Sequence, residues 1–108
     1  MKSSANLIDA GSQYTDDIEG YVFDGADESQ AAYWICRSDR ESKDHEHDYD
    51  EYFVVVAGQY NLHMNGQILV MKKGDEAYIP KGTPHGGSCI AGTRTIHVFG
   101  GKRAKRTS

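Results

Sequence analysis

The chain has 108 residues, of which 38% are hydrophobic and 26% are charged, and its formal net charge is −4 at pH 7. That length suits one compact domain with one core and is too short for two. The acidic balance disfavours a nucleic-acid partner, because binding to a phosphate backbone rests largely on clustered cations. No apolar run approaches the ~20 residues that cross a bilayer, and the N-terminus lacks an apolar signal segment. We therefore expect a cytoplasmic protein with no membrane partner.

In chain order, the sequence predicts an N-terminal extension, one barrel and a basic tail. Residues 1–30 hold strand-like fragments such as Gly20 to Phe23 among polar turns, and we expect edge strands there. Residues 31–100 form the predicted barrel. Residues 101–108 contain four cations, and we expect a disordered tail. Short segments rich in aromatic and β-branched residues lie at 31–37, 52–57, 60–64, 67–71, 77–80 and 93–99.

Glycines at an even spacing separate several of these segments, at positions 58, 66, 74 and 82. Asn65-Gly66 is typical of a type I′ hairpin, since both central residues of that turn adopt positive φ. No window beyond the first thirty residues shows a convincing helical period. Short strands with regular turn signals indicate an all-β chain, a β-sandwich or barrel.

The chain has two cysteines, Cys36 and Cys89. They are too few and too widely spaced for a disulfide framework, and they lack the CxxC spacing of a zinc ribbon. We expect two reduced, partly buried thiols that behave as small hydrophobic residues.

The segment that carries chemistry begins at His45. On an extended strand residues i and i+2 face the same side, so His45 and His47 can direct two imidazoles at one ion. Glu51 is six residues from His45, and a straight strand would separate them by about 20 Å. Glu51 can join the same ion only if the chain reverses direction between them. Asp48-Tyr49-Asp50 is suited to that turn, which leaves Glu51 at the start of the next strand.

Two spacings resemble the two signatures of the cupin superfamily. The first is His45-x-His47, three residues, Glu51, six residues and Gly58. The second is Gly74, five residues, Pro80-x-Gly82, two residues and His85. The chain departs from the family pattern at two positions, where Asp39 replaces a glycine and Cys89 replaces an asparagine. The resemblance implies a double-stranded β-helix, or jelly-roll, barrel.

The resemblance also implies that His45, His47, Glu51 and His85 bind one metal ion. Three imidazoles and one carboxylate suit a borderline divalent ion, namely Fe, Mn, Ni, Co, Cu or Zn. In the last predicted strand, Thr95, His97 and Phe99 share one face. If that face is turned inward, His97 lines the pocket and is a candidate general acid or base; the alternative is a structural histidine.

Two functions remain open at this point. The first is a metal-dependent enzyme, of the dioxygenase, isomerase, lyase or decarboxylase type, acting on a small oxygen-rich metabolite. The second is a non-catalytic cupin that binds or senses a small ligand. A small barrel exposes a sheet edge or face, so we also expect a homodimer.

Overall fold

The computed structural model describes residues 4–13 and 16–106. Two short 3-10 helices, Ser4–Asn6 and Ala10–Ser12, precede the strands, and the described residues form no α-helix. The strands are β1 (Ile18–Asp24), β2 (Gln30–Cys36), β3 (Arg40–Glu41), β4 (Glu51–Ala57), β5 (Gln59–Met64), β6 (Gln67–Lys72), β7 (Glu76–Ile79), β8 (His85–Cys89) and β9 (Arg94–Phe99). No helix among the described residues is long and apolar enough to cross a membrane.

The strands form two antiparallel sheets. One has the order β1-β2-β9-β4-β7 and the other has the order β3-β8-β5-β6. Neighbours in a sheet are mostly distant in sequence, as in a jelly-roll barrel. The all-β prediction is confirmed, and β1 is an edge strand formed by the N-terminal extension.

Side chains from both sheets meet in the interior. One cluster of buried residues comprises Ile8, Val22, Ala32, Trp34 and Phe99. A second comprises Phe53, Val55, Leu62, Met71 and Ile79. Along β9 every second residue is buried, and these are Thr95, His97 and Phe99. The face of β9 that carries His97 is therefore the inner face.

Two turns explain why the strands follow one another as they do. Asn65 and Gly66 have φ of 55° and 73°, so the predicted hairpin turn between β5 and β6 is confirmed. Gly58 connects β4 to β5 at φ 80°, and a Cβ built there would lie 2.7 Å from Cα of Thr93. A side chain at this position would therefore clash with the chain before β9.

The prediction of two reduced cysteines was wrong in this structure, which joins Cys36 and Cys89 in a disulfide. Cys36 ends β2 in one sheet and Cys89 ends β8 in the other. Their Cα atoms are 6.6 Å apart, within the span that a disulfide bridges. The count and spacing of the cysteines carried no information on this proximity, because it arises from the packing of the two sheets.

Residues 101–106 of the basic tail lie against the rest of the chain. The backbone N–H groups of Arg103 and Ala104 donate to Oε1 of the buried Gln30, at 2.6 and 3.0 Å. The backbones of Arg106 and Ile8 form an isolated antiparallel β-bridge. The side chain of Gln30 thus holds the tail in place. The sequence pattern of strands and turns does not predict this contact. Residues 107 and 108 lie outside the described part.

Candidate metal centre

Three of the four predicted ligands converge between the two sheets. His45 and His85 exchange a pair of backbone hydrogen bonds, each 2.8 Å long, so the two residues lie directly opposite each other. His47 projects beside them. One possible ligand atom from each of the three histidines lies within 4.8 Å of the other two. The structure thus assembles a histidine triad that could hold one metal ion.

Backbone carbonyl groups orient two of the imidazoles. Nδ1 of His45 lies 2.9 Å from the carbonyl oxygen of Lys43. Nδ1 of His85 lies 2.9 Å from the carbonyl oxygen of Thr83. A carbonyl oxygen only accepts, so Nδ1 carries the proton in each neutral imidazole and Nε2 is the nitrogen that can bind a metal. Partners of this kind fix the tautomer of histidines that bind metals.

His47 is oriented by an aromatic side chain that follows it in the turn. The ring of Tyr49 stacks on the imidazole of His47, with centroids 4.9 Å apart and planes within 9°. The Tyr49 hydroxyl lies 3.2 Å from Nδ1 of His47. The predicted reversal at residues 48–50 therefore also supports a ligand. Sequence reasoning assigned Tyr49 to the turn and missed this second role.

Glu51, the first residue of β4, directs one carboxylate oxygen between two of the histidines. Its Oε1 lies 3.4 Å from Nε2 of His47 and 3.4 Å from Nε2 of His85. Oε1 is buried and accepts no hydrogen bond from the described residues. Two donor atoms that share an ion, each at about 2.1 Å, are separated by about 3.0–3.4 Å. The two separations of 3.4 Å therefore fit an ion shared by Glu51, His47 and His85, whereas the cluster of ligand atoms within 4.8 Å of one another contains the three histidines without Glu51.

His97 holds the other oxygen of the same carboxylate. Its Nδ1 lies 2.7 Å from Oε2 of Glu51, and its Nε2 lies 3.0 Å from Oγ1 of Thr95. The ring stacks on Phe53, with centroids 4.6 Å apart, and Trp34 packs edge-on against it. His97 therefore lies inside the barrel, and both of its nitrogens have polar neighbours.

The charges at the centre follow from burial and from these contacts. Burial lowers the pKa of His45 to about 4, so its imidazole is neutral at neutral pH, as metal binding requires. Burial would lower the pKa of His85, but the contact with Glu51 outweighs it and raises this pKa. Burial would raise the pKa of Glu51, yet its contacts with the imidazoles of His47, His85 and His97 hold it well below the usual range. The carboxylate of Glu51 is therefore ionised at neutral pH.

A cavity of about 90 Å³ adjoins the centre. All four predicted ligands and His97 line it, and so do Tyr60, Gln13, Arg40 and Arg103. A cavity of roughly 150 Å³ accommodates benzene, so a ligand that reaches the centre is small or extends towards the opening. Sequence reasoning did not single out Gln13 or Arg40.

Tyr60 reaches the cavity because its side chain lies over Gly87 of β8, the strand that pairs with β5. A Cβ built on Gly87 would overlap the Tyr60 hydroxyl. Burial and the nearby Glu51 raise the pKa of Tyr60, so its hydroxyl stays protonated. The Gly86-Gly87 pair was the available sequence signal, since glycine inside a strand marks a close approach.

Residues 34–102 match the family model described as a Cupin domain. No curated protein sequence matches the chain significantly. Many solved structures share the fold. An RmlC-like cupin from Shewanella frigidimarina is 22% identical, with a TM-score of 0.76, over 92% of this chain and 86% of that one. KdgF from a Halomonas species is 17% identical, with a TM-score of 0.71, over 86% of this chain and 90% of its own. The polyketide cyclase RemF from Streptomyces resistomycificus is 16% identical, with a TM-score of 0.74, over 96% of this chain and 80% of its own.

Proposed function

The chain belongs to the cupin family, and we propose that it is a metal-dependent enzyme that acts on a small, oxygen-rich anion. The observation that carries the proposal is Oε1 of Glu51, a buried anionic oxygen 3.4 Å from two imidazole nitrogens. A buried carboxylate oxygen without a hydrogen bond costs free energy unless a cation compensates it. A divalent ion held by His45, His47, Glu51 and His85 supplies that compensation.

A bound divalent ion supplies Lewis-acid chemistry towards a carbonyl, hydroxyl or carboxylate oxygen. The chain's own residues supply orientation. The hydrogen bond between His97 and Glu51 fixes the rotamer of the carboxylate, so that Oε1 remains directed at the histidines. Phe53 and Trp34 fix the ring of His97 in turn and exclude water from that side.

The preference for an anion rests on the cations that line the cavity. Arg103 and the amide of Gln13 belong to its wall, as does Arg40, whose guanidinium is ion-paired with Asp16 and Asp17. Oε1 of Gln13 accepts a hydrogen bond from Nε1 of Trp34, at 3.1 Å, so its amide N–H groups remain available as donors. Guanidinium and amide groups are suited to carboxylate oxygens. The proposed substrate class is therefore a small carboxylate with a further carbonyl or hydroxyl group.

The proposal is tested by measuring the turnover of keto acids, hydroxy acids and uronates. Each compound is assayed with protein loaded with Fe, Mn, Ni, Co, Cu or Zn. We expect turnover with at least one combination of substrate and metal, and loss of that turnover in the His45→Ala variant. The second candidate is a non-catalytic binding cupin, favoured by the small volume of the cavity. Binding of a carboxylate to the metal-loaded protein without any turnover in the panel would select it.

A further inference from the structure

Strand β6 forms one edge of the four-stranded sheet, and its apolar side chains are exposed. It pairs with β5 on one side and ends the sheet on the other. Ile68, Leu69 and Val70 are 65, 43 and 57% exposed, and we call these three residues the β6 edge. Exposed edge strands in native proteins are usually protected by charges, prolines or bulges, because a long apolar edge pairs with other strands. The β6 edge has none of these protections.

The hairpin determines which backbone groups face outward. In a two-residue turn such as Asn65-Gly66, the residues that flank the turn form a hydrogen-bonded pair, and bonded pairs recur at every second residue. The N–H and C=O groups of Gln67 and Leu69 therefore face β5. Those of Ile68 and Val70 face away from the sheet and are available to another strand.

The outward backbone groups of β6 that can pair with another strand end before Lys72. The outward N–H of Lys72 donates to Oδ2 of Asp75 at 2.8 Å, so pairing stops before this residue. Outward pairing is thus restricted to Ile68 and Val70, which lie symmetrically about Leu69. A strand with this pattern is complementary to a second copy of itself in the antiparallel direction.

We propose that the β6 edge pairs with β6 of a second copy of this chain across a two-fold axis at Leu69. Ile68 then lies opposite Val70 of the partner subunit, and the symmetric pair gives four backbone hydrogen bonds in total. The side chains of Ile68 and the partner's Val70 pack on one face of the joined sheet. The two Leu69 side chains pack on the other.

The distribution of charge favours a second copy as the occupant. Each copy has a net charge of −4, so two copies repel each other in general. Residues 52–71, which include β5 and all of β6 except its last residue, Lys72, contain no Asp, Glu, Lys or Arg. The two Lys72 residues lie at opposite ends of the joined strands, about 20 Å apart, which is beyond the screening length at physiological salt. This edge therefore meets its copy without opposing like charges.

The outer face of the five-stranded sheet is the competing surface. It exposes apolar side chains, including Tyr52, Tyr78, Ile96 and Val98. β4 and β9, which carry three of them, are paired on both sides, and the Tyr52 hydroxyl donates to Glu76 at 2.6 Å. That face offers side chains alone, whereas the β6 edge combines apolar side chains with outward backbone groups. This difference is the reason to choose the β6 edge.

Sedimentation combined with amide hydrogen exchange tests the proposal on the full chain. We expect a dimer in which the amides of Ile68 and Val70 exchange slowly at high protein concentration and fast on dilution. The amide of Leu69, bonded to β5, is the internal control and stays protected throughout. A monomer, or a dimer in which Ile68 and Val70 exchange fast, would overturn the proposal.

Paired variants test the register. Val70→Lys and Ile68→Glu should each raise the dimer dissociation constant at least about tenfold, because each variant places a charge in an apolar contact. Mixing the two variants should restore association, since the new lysine faces the new glutamate of the partner subunit. Val98→Lys on the competing face is the matched control and should stay dimeric. Dissociation by Val98→Lys alone, or no recovery in the mixture, would refute this pairing.

Discussion

Nδ1 of His97 lies 2.7 Å from Oε2 of Glu51, while the opposite oxygen of the same carboxylate faces the imidazoles of His47 and His85. One carboxylate therefore connects the metal centre to the wall of the barrel. Groups that orient a ligand in this way commonly change metal affinity about 10–100-fold when they are removed. His97 is thus a candidate positioning residue in addition to a candidate general acid or base.

The first prediction separates these two roles. His97→Asn retains a donor near the position of Nδ1 but cannot transfer protons as an imidazole does, whereas His97→Leu removes the donor. If His97 positions Glu51, the asparagine variant keeps metal affinity close to the parent and the leucine variant loses about 10–100-fold. Calorimetric titration with the metal measures both. Equal affinity of the leucine variant and the parent would contradict the positioning role.

If His97 instead transfers a proton, a different pattern follows. The asparagine variant then binds metal normally and loses kcat. Because metal affinity and kcat are measured separately, each role has its own readout. Thr95, which contacts Nε2, provides a control: Thr95→Val should change metal affinity less than His97→Leu, since the bond to Glu51 remains.

The clustering of His45, His47 and His85 was predictable from the sequence because the spacing of the candidate ligands is strict. His45, His47, Glu51 and His85 fall at fixed offsets from glycines and a proline, and the reach of an extended chain required the turn at residues 48–50. Simple alternation placed Thr95, His97 and Phe99 on one face of β9, and only the structure identified that face as the inner one. Local rules of distance and parity gave the turn and the shared faces, whereas the inclusion of His85 rested on the resemblance to the family signatures.

Other features depend on packing between distant segments, and the sequence does not contain them in local form. β8 begins His85-Gly86-Gly87, which has low strand propensity, and its strand conformation comes from pairing with β5 and β3. The anchoring of the tail depends on one buried side chain, Gln30. The contact between Cys36 and Cys89 exists only once the two sheets are packed.

The second prediction concerns this disulfide. Replacing Cys36 and Cys89 by serine should lower the free energy of unfolding by about 2–4 kcal/mol, because the crosslink restricts the unfolded chain. Denaturant unfolding under non-reducing conditions measures the difference. The parent in a reducing buffer is the control and should approach the double variant. Two reactive thiols per denatured, non-reduced chain would show that the bond is absent.

The third prediction concerns Arg103 at the cavity. Arg103→Gln should weaken the binding of a small carboxylate such as oxalate to the metal-loaded protein by about tenfold. The reason is that a hydrogen bond between charged groups typically contributes about 1.5–3 kcal/mol. Lys102→Gln removes an exposed cation one residue away and is the matched control. Titration calorimetry gives both affinities. Equal losses in the two variants would point to general electrostatics and away from a contact in the cavity.

The metal content of the purified protein tests the central claim most directly. Elemental analysis after reloading and desalting should give about one divalent ion per chain in the parent. It should give a clear loss in Glu51→Gln and near-complete loss in the double variant His45→Ala with His85→Ala. Circular dichroism of each variant verifies that the β-fold is kept. Full metal content in the folded double variant would contradict the assignment of this centre.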